Sequence, residues 1–290
     1  MLVRHLAPLL RNKIVRNVQV RWVKTLAPTS SRKFARTLRG ARFVGLSRRG
    51  KYLVFEFRAR NQLRTQILVG HLGMTGRMYL LPAAARLPRH VAVILGLGRE
   101  KFVFEDTRYF GRLTLDASVL ARLGPEPLAR EFTAACFARA LSRSTQPIKI
   151  KLLDQSLVAG VGNIYASEAL FRARLAPTLP ACRLSNDQVD RLRRAIREVL
   201  REAIDCGSTV PLNYSGAGKS GRLFYFGRAP GFPDFYEERL RVYGRAGQPC
   251  VNCGRPIKDM LQAARRTFYC SCCQRPRGAR TGRKSGVKSV

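Results

Sequence analysis

Cys250-Val-Asn-Cys253 and, sixteen residues further on, Cys270-Ser-Cys272-Cys273 decide how the rest of the chain is read. Two C-x-x-C pairs at this separation have the spacing of a tetrahedral Cys₄ zinc site. Each pair places two thiolates on one tight knuckle, and the residues between them read as a hairpin. Gly254 and Pro256 are its turn residues, and Thr267-Phe268-Tyr269 is a short strand leading into the second knuckle. The plain alternative is four unrelated buried thiols, since free Cys is often a small core residue. Cys272 competes with Cys273, but only Cys273 restores the spacing of the first pair. Four thiolates leave no open position for water. Cys250, Cys253, Cys270 and Cys273 are therefore expected to hold one structural zinc ion that folds the segment and does no chemistry.

Outward from the cysteines, charge is the outlying property. Fifty-four Lys and Arg against 18 Asp and Glu give a formal net charge of +36 over 290 residues. Such an excess repels itself in a compact state and calls for a polyanionic partner, above all nucleic acid. A membrane surface would want a long amphipathic basic helix, and none is visible. No run approaches the roughly 18 apolar residues of a membrane span, and Met1-Leu-Val-Arg4-His5-Leu-Ala-Pro8 is broken too early by charge and proline for a signal peptide. The remaining thiols, Cys136, Cys182, Cys206 and Cys272, are expected to stay reduced in a cytoplasm.

In chain order, residues 1–20 read as a helix, with Leu2, Leu6, Leu9 and Leu10 on one face, running into a strand at 14–20. From about 40 to 115 the period changes to two. Runs at 41–46, 51–57, 66–72, 90–95 and 101–105 are separated by turn clusters and suggest a β-sandwich. Three features inside it carry a functional reading beside a plain one. Lys51, at the head of a strand after Arg49-Gly50, either points its amine into a cleft or is a solvated strand-end lysine. Met74, in His71-Leu-Gly-Met74-Thr-Gly76, is either presented on a turn or tucked into the core. Asp106-Thr-Arg108-Tyr-Phe110-Gly111 sets Arg and Phe on a second loop. Apolar wedges and an Arg on exposed loops are what a protein uses to unstack a base pair and fill the gap.

Leu123-Gly-Pro-Glu-Pro-Leu128 is a Pro-rich connection, and beyond it the pattern is helical. Residues 149–157 and 164–174 read as helices around the turn Ala159-Gly160-Val-Gly162-Asn163. There, backbone N–H groups and the Asn163 amide could approach a phosphate, although a G-x-G turn alone is also a simple helix corner. Ser185 and Gln188 form a capping box ahead of the stripe Val189, Leu192, Ile196, Val199 and Ile204, which closes at Gly207. Residues 208–247 are loop-rich, and Gly218-Lys219-Ser220 lacks the earlier glycine and the strand of a P-loop. The expected organisation is α+β and multidomain: a β-sandwich with flanking helices over 1–122, a helical domain over 123–240, a zinc finger over 241–275, and a disordered basic tail over 276–290.

Arg49-Gly-Lys51-Tyr-Leu, His71-Leu-Gly-Met74, Arg108-Tyr-Phe110-Gly111, Leu123-Gly-Pro-Glu-Pro-Leu128, Asp154-Gln155 through Gly160-Val-Gly-Asn163-Ile-Tyr165, Val242-Tyr-Gly-Arg245 and the Cys₄ module with Arg265 occur in that order. Together they resemble the bacterial formamidopyrimidine-DNA glycosylases, a family that includes endonuclease VIII, over roughly residues 2–275. The resemblance implies a helix–two-turn–helix domain in the middle of the chain and a monomeric bacterial cytoplasmic, nucleoid-associated repair enzyme. Its implied partner is damaged double-stranded DNA, with no membrane. It implies excision of oxidised purines such as 8-oxoguanine and formamidopyrimidines, followed by β,δ-elimination at the abasic site. Lys51 then matches a phosphate-contacting lysine that assists elimination. Met74, Arg108 and Phe110 match the residues that fill the hole left by the flipped base, and Asn163 and Arg265 match phosphate ligands, Arg265 with a part in elimination. His71, His90, Arg143 and Lys149 fall on the DNA-contacting side, with Pro88 where a further His is common and Ser144 where a lysine is usual.

The family works through an N-terminal Pro-Glu, the proline amine attacking sugar C1′ and the Glu acting as general acid. This sequence reads Met1-Leu2-Val3 where the family helix is already under way. Without a positioned nucleophile, a rate advantage worth roughly 7–11 kcal/mol is lost. The expectation is a start assigned too late, with Pro-Glu encoded upstream, because the downstream DNA-handling residues are intact. The alternative is a non-catalytic, zinc-containing protein that binds damaged DNA. Residues 221–238, with Phe224-Tyr-Phe226 and Phe232-Pro-Asp-Phe235, lengthen the region that in the family closes over the damaged base.

Overall fold

The period-two runs of the N-terminal half fold as two four-stranded antiparallel sheets. The computed structural model describes residues 2–59, 64–206 and 240–275; the loop segment with Ser215–Ser220, the 221–238 insertion, Gly207 and the basic tail lie outside them. One sheet has the order β1 (Asn17–Val20), β6 (Val91–Gly96), β7 (Glu100–Asp106), β5 (Gly76–Pro82). The other runs β2 (Arg42–Arg49), β3 (Tyr52–Arg58), β4 (Thr65–His71), β8 (Arg112–Thr114). Phe43, Phe55 and Phe57 share one buried core with Phe102, Phe104 and Met78, and Phe55 meets Phe102 edge-on at 5.7 Å. Each such ring stabilises the fold by about 1.5–3 kcal/mol through burial. Two helices close the core: α1 (Leu2–Leu10) inserts Leu6 and Leu10, and α2 (Ser31–Leu38), N-capped by Ser30, inserts Phe34 and Leu38. Both pairs are spaced i, i+4 and so lie on one helix face.

Local chemistry corrects several of the expected spans. The first helix stops at Leu10 because Asn12 turns left-handed (φ 66°) and donates its N–H to the Phe43 carbonyl. Ile14 then makes only an isolated bridge to Arg42, and β1 begins at Asn17. The strands β5 and β8 were not anticipated, one hidden behind the Met74 turn and the other only three residues long. Strand β6 does not alternate: Val91–Leu95 are all buried, because Tyr79, Leu81, Val103, Ala85 and Leu87 cover its outer face. The helix expected over 149–157 shrinks to one turn, α5 (Ile148–Lys151). Asp154 ends it by accepting the N–H and hydroxyl of Ser156, the local competition that keeps Asp out of helix interiors.

The described residues gather into two compact units, one built chiefly on Met1–Glu126 with Val158–Gly160, the other on Pro127–Leu157, Val161–Glu202 and the residues from 240 onward. The last helix within Met1–Glu126 is the short α3 (Ser118–Ala121). The second is helical, with α4 (Ala134–Leu141), α6 (Asn163–Arg172) and α7 (Asn186–Cys206), and it closes on a hairpin of β9 (Lys258–Gln262) and β10 (Arg265–Tyr269). The capping box of α7 is reciprocal: Ser185 Oγ accepts the Gln188 N–H at 3.3 Å, and Gln188 Oε1 accepts the Ser185 N–H at 2.9 Å. Two side chains tie the hairpin region to α6 and the turn that follows it. Buried Glu168 accepts the N–H groups of Arg241, Val242 and Tyr243 at 2.8–3.0 Å. Buried Gln274 accepts the Cys270 N–H and donates to the Leu175 carbonyl. Among the described residues no helix is long and apolar enough to cross a membrane.

Candidate nucleic-acid interface

In the first unit, the loops bearing Met74 and Arg108-Tyr-Phe110 are one assembly. A Cβ on Gly73 (φ 63°) would lie 2.9 Å from the Gly111 nitrogen and 3.0 Å from the Phe110 carbonyl carbon, so the two backbones touch. Buried Asp106 is the hub: Oδ1 accepts the Thr75 hydroxyl at 2.5 Å and the Arg108 N–H at 3.2 Å, and Oδ2 accepts the Gly111 N–H at 2.7 Å. On this base Met74 is 67% exposed and Phe110 55%, which excludes the reading of Met74 as a core residue. Arg108 lies over the Phe110 ring at 4.8 Å and donates to Met74 Sδ at 3.3 Å. Two apolar tips and one guanidinium are thus gathered on a rigid ledge. Neither Asp106 nor Thr75 was singled out from the sequence, because the polar residue that organises a loop is visible only from its bonds.

Lys51 sits in the two-residue turn joining β2 to β3, after Gly50 at φ 57°. The turn is clamped from below. Glu126 accepts Arg48 at 2.7 Å, Arg49 at 3.2 Å and the Gly50 N–H at 2.5 Å. Burial works against the Glu126 carboxylate, but these donors hold its pKa below the usual range. A Cβ on Gly50 would meet Ala159 at 3.3 Å, so the 158–160 turn packs on the same hairpin. Lys51 is exposed. His71, opposite Tyr52 in the β3–β4 register, has its pKa lowered by burial and then by the charges of Lys51 and Arg112. Its Nδ1 accepts the Gly73 N–H at 3.1 Å. The ring is therefore a neutral imidazole that can donate from Nε2 beside the wedge loop. His90 lies half-buried, its ring 6.1 Å from Tyr109.

The second unit carries a cationic cluster at the start of α6. That helix has Gly162 at its N-cap with no side-chain cap, so its first N–H groups are not met by a cap. Lys149, 1% exposed, donates to Asn163 Oδ1 at 2.5 Å. Burial, and next the neighbouring Arg265, bring its pKa down to about 8. Asn163 Nδ2 donates to the Arg266 carbonyl at 2.9 Å, which fastens β10 to the helix. The Asn163 amide is therefore engaged by protein on both sides. Arg265 follows the turn Ala263-Ala264, whose residues both adopt positive φ (47° and 57°), a conformation rare outside glycine. Arg143 stands elsewhere: exposed, it lines a 410 Å³ surface pocket with Ser144, Thr145, Gln146 and Lys151. The sequence did not reveal that Lys149, Asn163 and Arg265 belong together, since 14 and 102 residues separate them.

The four thiols sit at the base of the hairpin. Their Sγ atoms all lie within 4.8 Å of one another, with Cys250–Cys273 at 3.9 Å and Cys253–Cys270 at 3.5 Å. Tetrahedral zinc at ~2.3 Å from sulfur requires edges of ~3.8 Å, so the donor set fits one ion. Burial and the surrounding thiols push the Cys273 pKa up, as expected for sulfurs gathered for a cation. Cys272 stays outside this set, near Arg275.

Comparison with known proteins gives three family matches: the formamidopyrimidine-DNA glycosylase N-terminal domain over residues 1–113, the formamidopyrimidine-DNA glycosylase H2TH domain over 123–212, and the zinc finger found in FPG and IleRS over 247–276. The formamidopyrimidine-DNA glycosylase of Desulfitobacterium hafniense is 39% identical over 268 residues, 90% of this chain and 92% of that protein. That of Thermus thermophilus is 41% identical over 242 residues, 81% and 83% respectively. Among solved structures, a Lactococcus lactis FPG mutant in complex with DNA containing Fapy-dG superposes with a TM-score of 0.81 at 29% identity, covering 95% of this chain and 97% of that one. The Lactococcus lactis Fpg complex with DNA containing an abasic site gives 0.80 at 29% identity, covering 94% and 97%.

Proposed function

The chain belongs to the formamidopyrimidine-DNA glycosylase family, and on that premise we propose that it is a base-excision DNA glycosylase and abasic-site lyase. Its substrate is an oxidised purine, 8-oxoguanine or formamidopyrimidine, in duplex DNA. The observation that carries this reading is the preassembled ledge of Met74, Arg108 and Phe110. A flipped base leaves a gap in the stack, and an apolar wedge with a planar cation fills it without reorganising. Because Asp106 already fixes the loops, little ordering entropy opposes insertion.

The other groups divide the phosphate work. Lys51, on its clamped turn, binds a backbone phosphate and supports elimination, and neutral His71 donates a hydrogen bond beside it. At the start of α6 phosphates are met by Arg265 and the second hydrogen of Asn163 Nδ2, with the buried Lys149 ammonium adding its charge from behind Asn163, and Arg265 supports elimination. His90 and Arg143 add contacts to the flanking backbone. One zinc ion, held by Cys250, Cys253, Cys270 and Cys273, supplies no chemistry and keeps β10 against Asn163. With a net charge of +36, the protein is proposed to act as a monomer on the bacterial nucleoid in the cytoplasm, across the domain limits 1–122, 123–240 and 241–275.

The test is borohydride trapping on duplexes with 8-oxoguanine or an abasic site. A covalent adduct and strand cleavage on the damaged duplexes, and neither on undamaged duplex, is the expected result. Tight abasic binding with no adduct would replace the enzyme with a damaged-DNA-binding protein.

A further inference from the structure

The loop of the wedge has a residue in a costly conformation. Tyr109, between Arg108 and Phe110, adopts φ 54°, which an L residue holds only when its surroundings over-determine it. Its N–H donates to the Asp106 carbonyl at 3.3 Å, its side chain packs on the edge of the sandwich core, and its remaining contacts are aromatic. The Tyr109 ring lies 4.5 Å from Trp22 at an interplanar angle of 31°, and 6.1 Å edge-on to His90. Trp22 itself is anchored, since the N–H groups of Arg21 and Trp22 both donate to the Ala92 carbonyl of β6. His90 is anchored to the same sheet, its carbonyl accepting the Asp106 N–H at 2.9 Å. Yet Trp22 is 37% exposed and stands outside the sandwich core.

We propose that Trp22 is a positioning residue: through Tyr109 it holds the Arg108–Phe110 loop in the left-handed conformation that presents the wedge. The inference rests on the reading of Met74, Arg108 and Phe110 as gap-filling residues. Asp106 fixes the loop's backbone, its carboxylate through Arg108 and Gly111 and its carbonyl through the Tyr109 N–H at 3.3 Å, whereas the Trp22–Tyr109 stack fixes the side chain at its middle. Without the ring, Tyr109 relaxes to negative φ and turns Phe110 away from Arg108, so gap filling weakens while phosphate contacts persist. The quantity affected is therefore discrimination between abasic and undamaged duplex, not overall affinity.

The experiment measures dissociation constants of the full, zinc-loaded chain for an abasic duplex and an undamaged duplex of equal length. Trp22→Ala is expected to lower the ratio of the two affinities about 2- to 12-fold, the worth of an aromatic pair. The salt slope should stay put and the thermal midpoint should fall by only a few degrees, and Trp22→Phe should restore most of the ratio. Tyr109→Ala should match Trp22→Ala, and the double variant should be no worse than Tyr109→Ala alone. Trp22→Leu, which keeps apolar bulk without a ring, carries the same expectation if the alanine variant does not fold. Trp22 is the single tryptophan of the chain, so its emission should change on binding abasic duplex in the wild type and not in Tyr109→Ala. An unchanged ratio in Trp22→Ala, or additive losses in the double variant, overturns the proposal while Phe110→Ala still collapses discrimination. If Phe110→Ala leaves discrimination intact, the wedge reading fails and this inference goes with it.

Discussion

Lys149 offers the sharpest quantitative test, because one buried ammonium links DNA affinity and stability with opposite signs. Its pKa of about 8 in the DNA-free protein stands against an ordinary value of 10.5. At pH 7 about nine-tenths of the molecules carry the charge, and at pH 9 about one-tenth do. A phosphate binds the charged form, so at pH 9 binding must first return the proton. Affinity for any duplex should therefore fall about tenfold between pH 7 and pH 9, while the salt slope should hold, because proton uptake on binding leaves the number of neutralised phosphates unchanged. For the folded protein alone the sign reverses. The native state disfavours the proton that the unfolded chain still binds, so the penalty is present below pH 8 and is relieved as pH rises from 8 towards 10.5. It amounts to about 3 kcal/mol. Fluorescence anisotropy on a labelled duplex across pH 6.5–9.5, at fixed ionic strength, reads the first effect, and thermal melts read the second. Lys149→Arg keeps its charge and should flatten the affinity profile. Lys149→Met should bind weakly at every pH and lose the alkaline rise in stability, although the Asn163 oxygen left without its donor costs about 1–3 kcal/mol. A tenfold decline that persists in Lys149→Arg would refute the assignment of the effect to this lysine.

Three further outcomes are expected. Chelating the zinc should release β10 from Asn163 and weaken abasic-duplex binding at least tenfold, while calorimetry still shows the transition of the phenylalanine core; an unchanged affinity would separate the metal from DNA binding. Asp106→Asn, which offers one acceptor oxygen where the carboxylate meets three donors, should lower discrimination for abasic DNA with little change on undamaged duplex, read in the same binding assay. Replacing Ala263-Ala264 by Asn-Gly should stabilise the hairpin by ~1 kcal/mol, since two left-handed alanines are relieved and the Asn-Gly pair suits a two-residue turn; a lowered Tm would show that the turn is not strained.

Buried carboxylates mark where sequence reading stopped. Glu168 looks like any helix glutamate, yet it is buried and gathers three backbone N–H groups from a segment more than 70 residues away. Burial outweighs those donors and raises its pKa. Glu126 sits in a stretch noticed for its prolines, and its work is to hold the Lys51 turn. Strand β6 was read as alternating because nothing local tells that a second apolar layer covers it. The helix over 149–157 was misjudged for a local reason: Asp154 followed by Ser156 is a turn signal, outweighed in the reading by apolar periodicity.

From the sequence alone came everything set by spacing and composition: the Cys₄ knuckles, the partner's negative charge, the sandwich character of the N-terminal half, and the glycine-flanked loops with their Met, Arg and Phe. Those features depend on neighbours in the chain, where covalent geometry makes spacing informative. Only the tertiary structure decided that Met74 and Phe110 are exposed on one ledge, that Lys149 is buried against Asn163, and that Trp22 reaches Tyr109. Those facts depend on contacts between residues tens to a hundred positions apart, whose desolvation and hydrogen bonding exist only once the chain has folded.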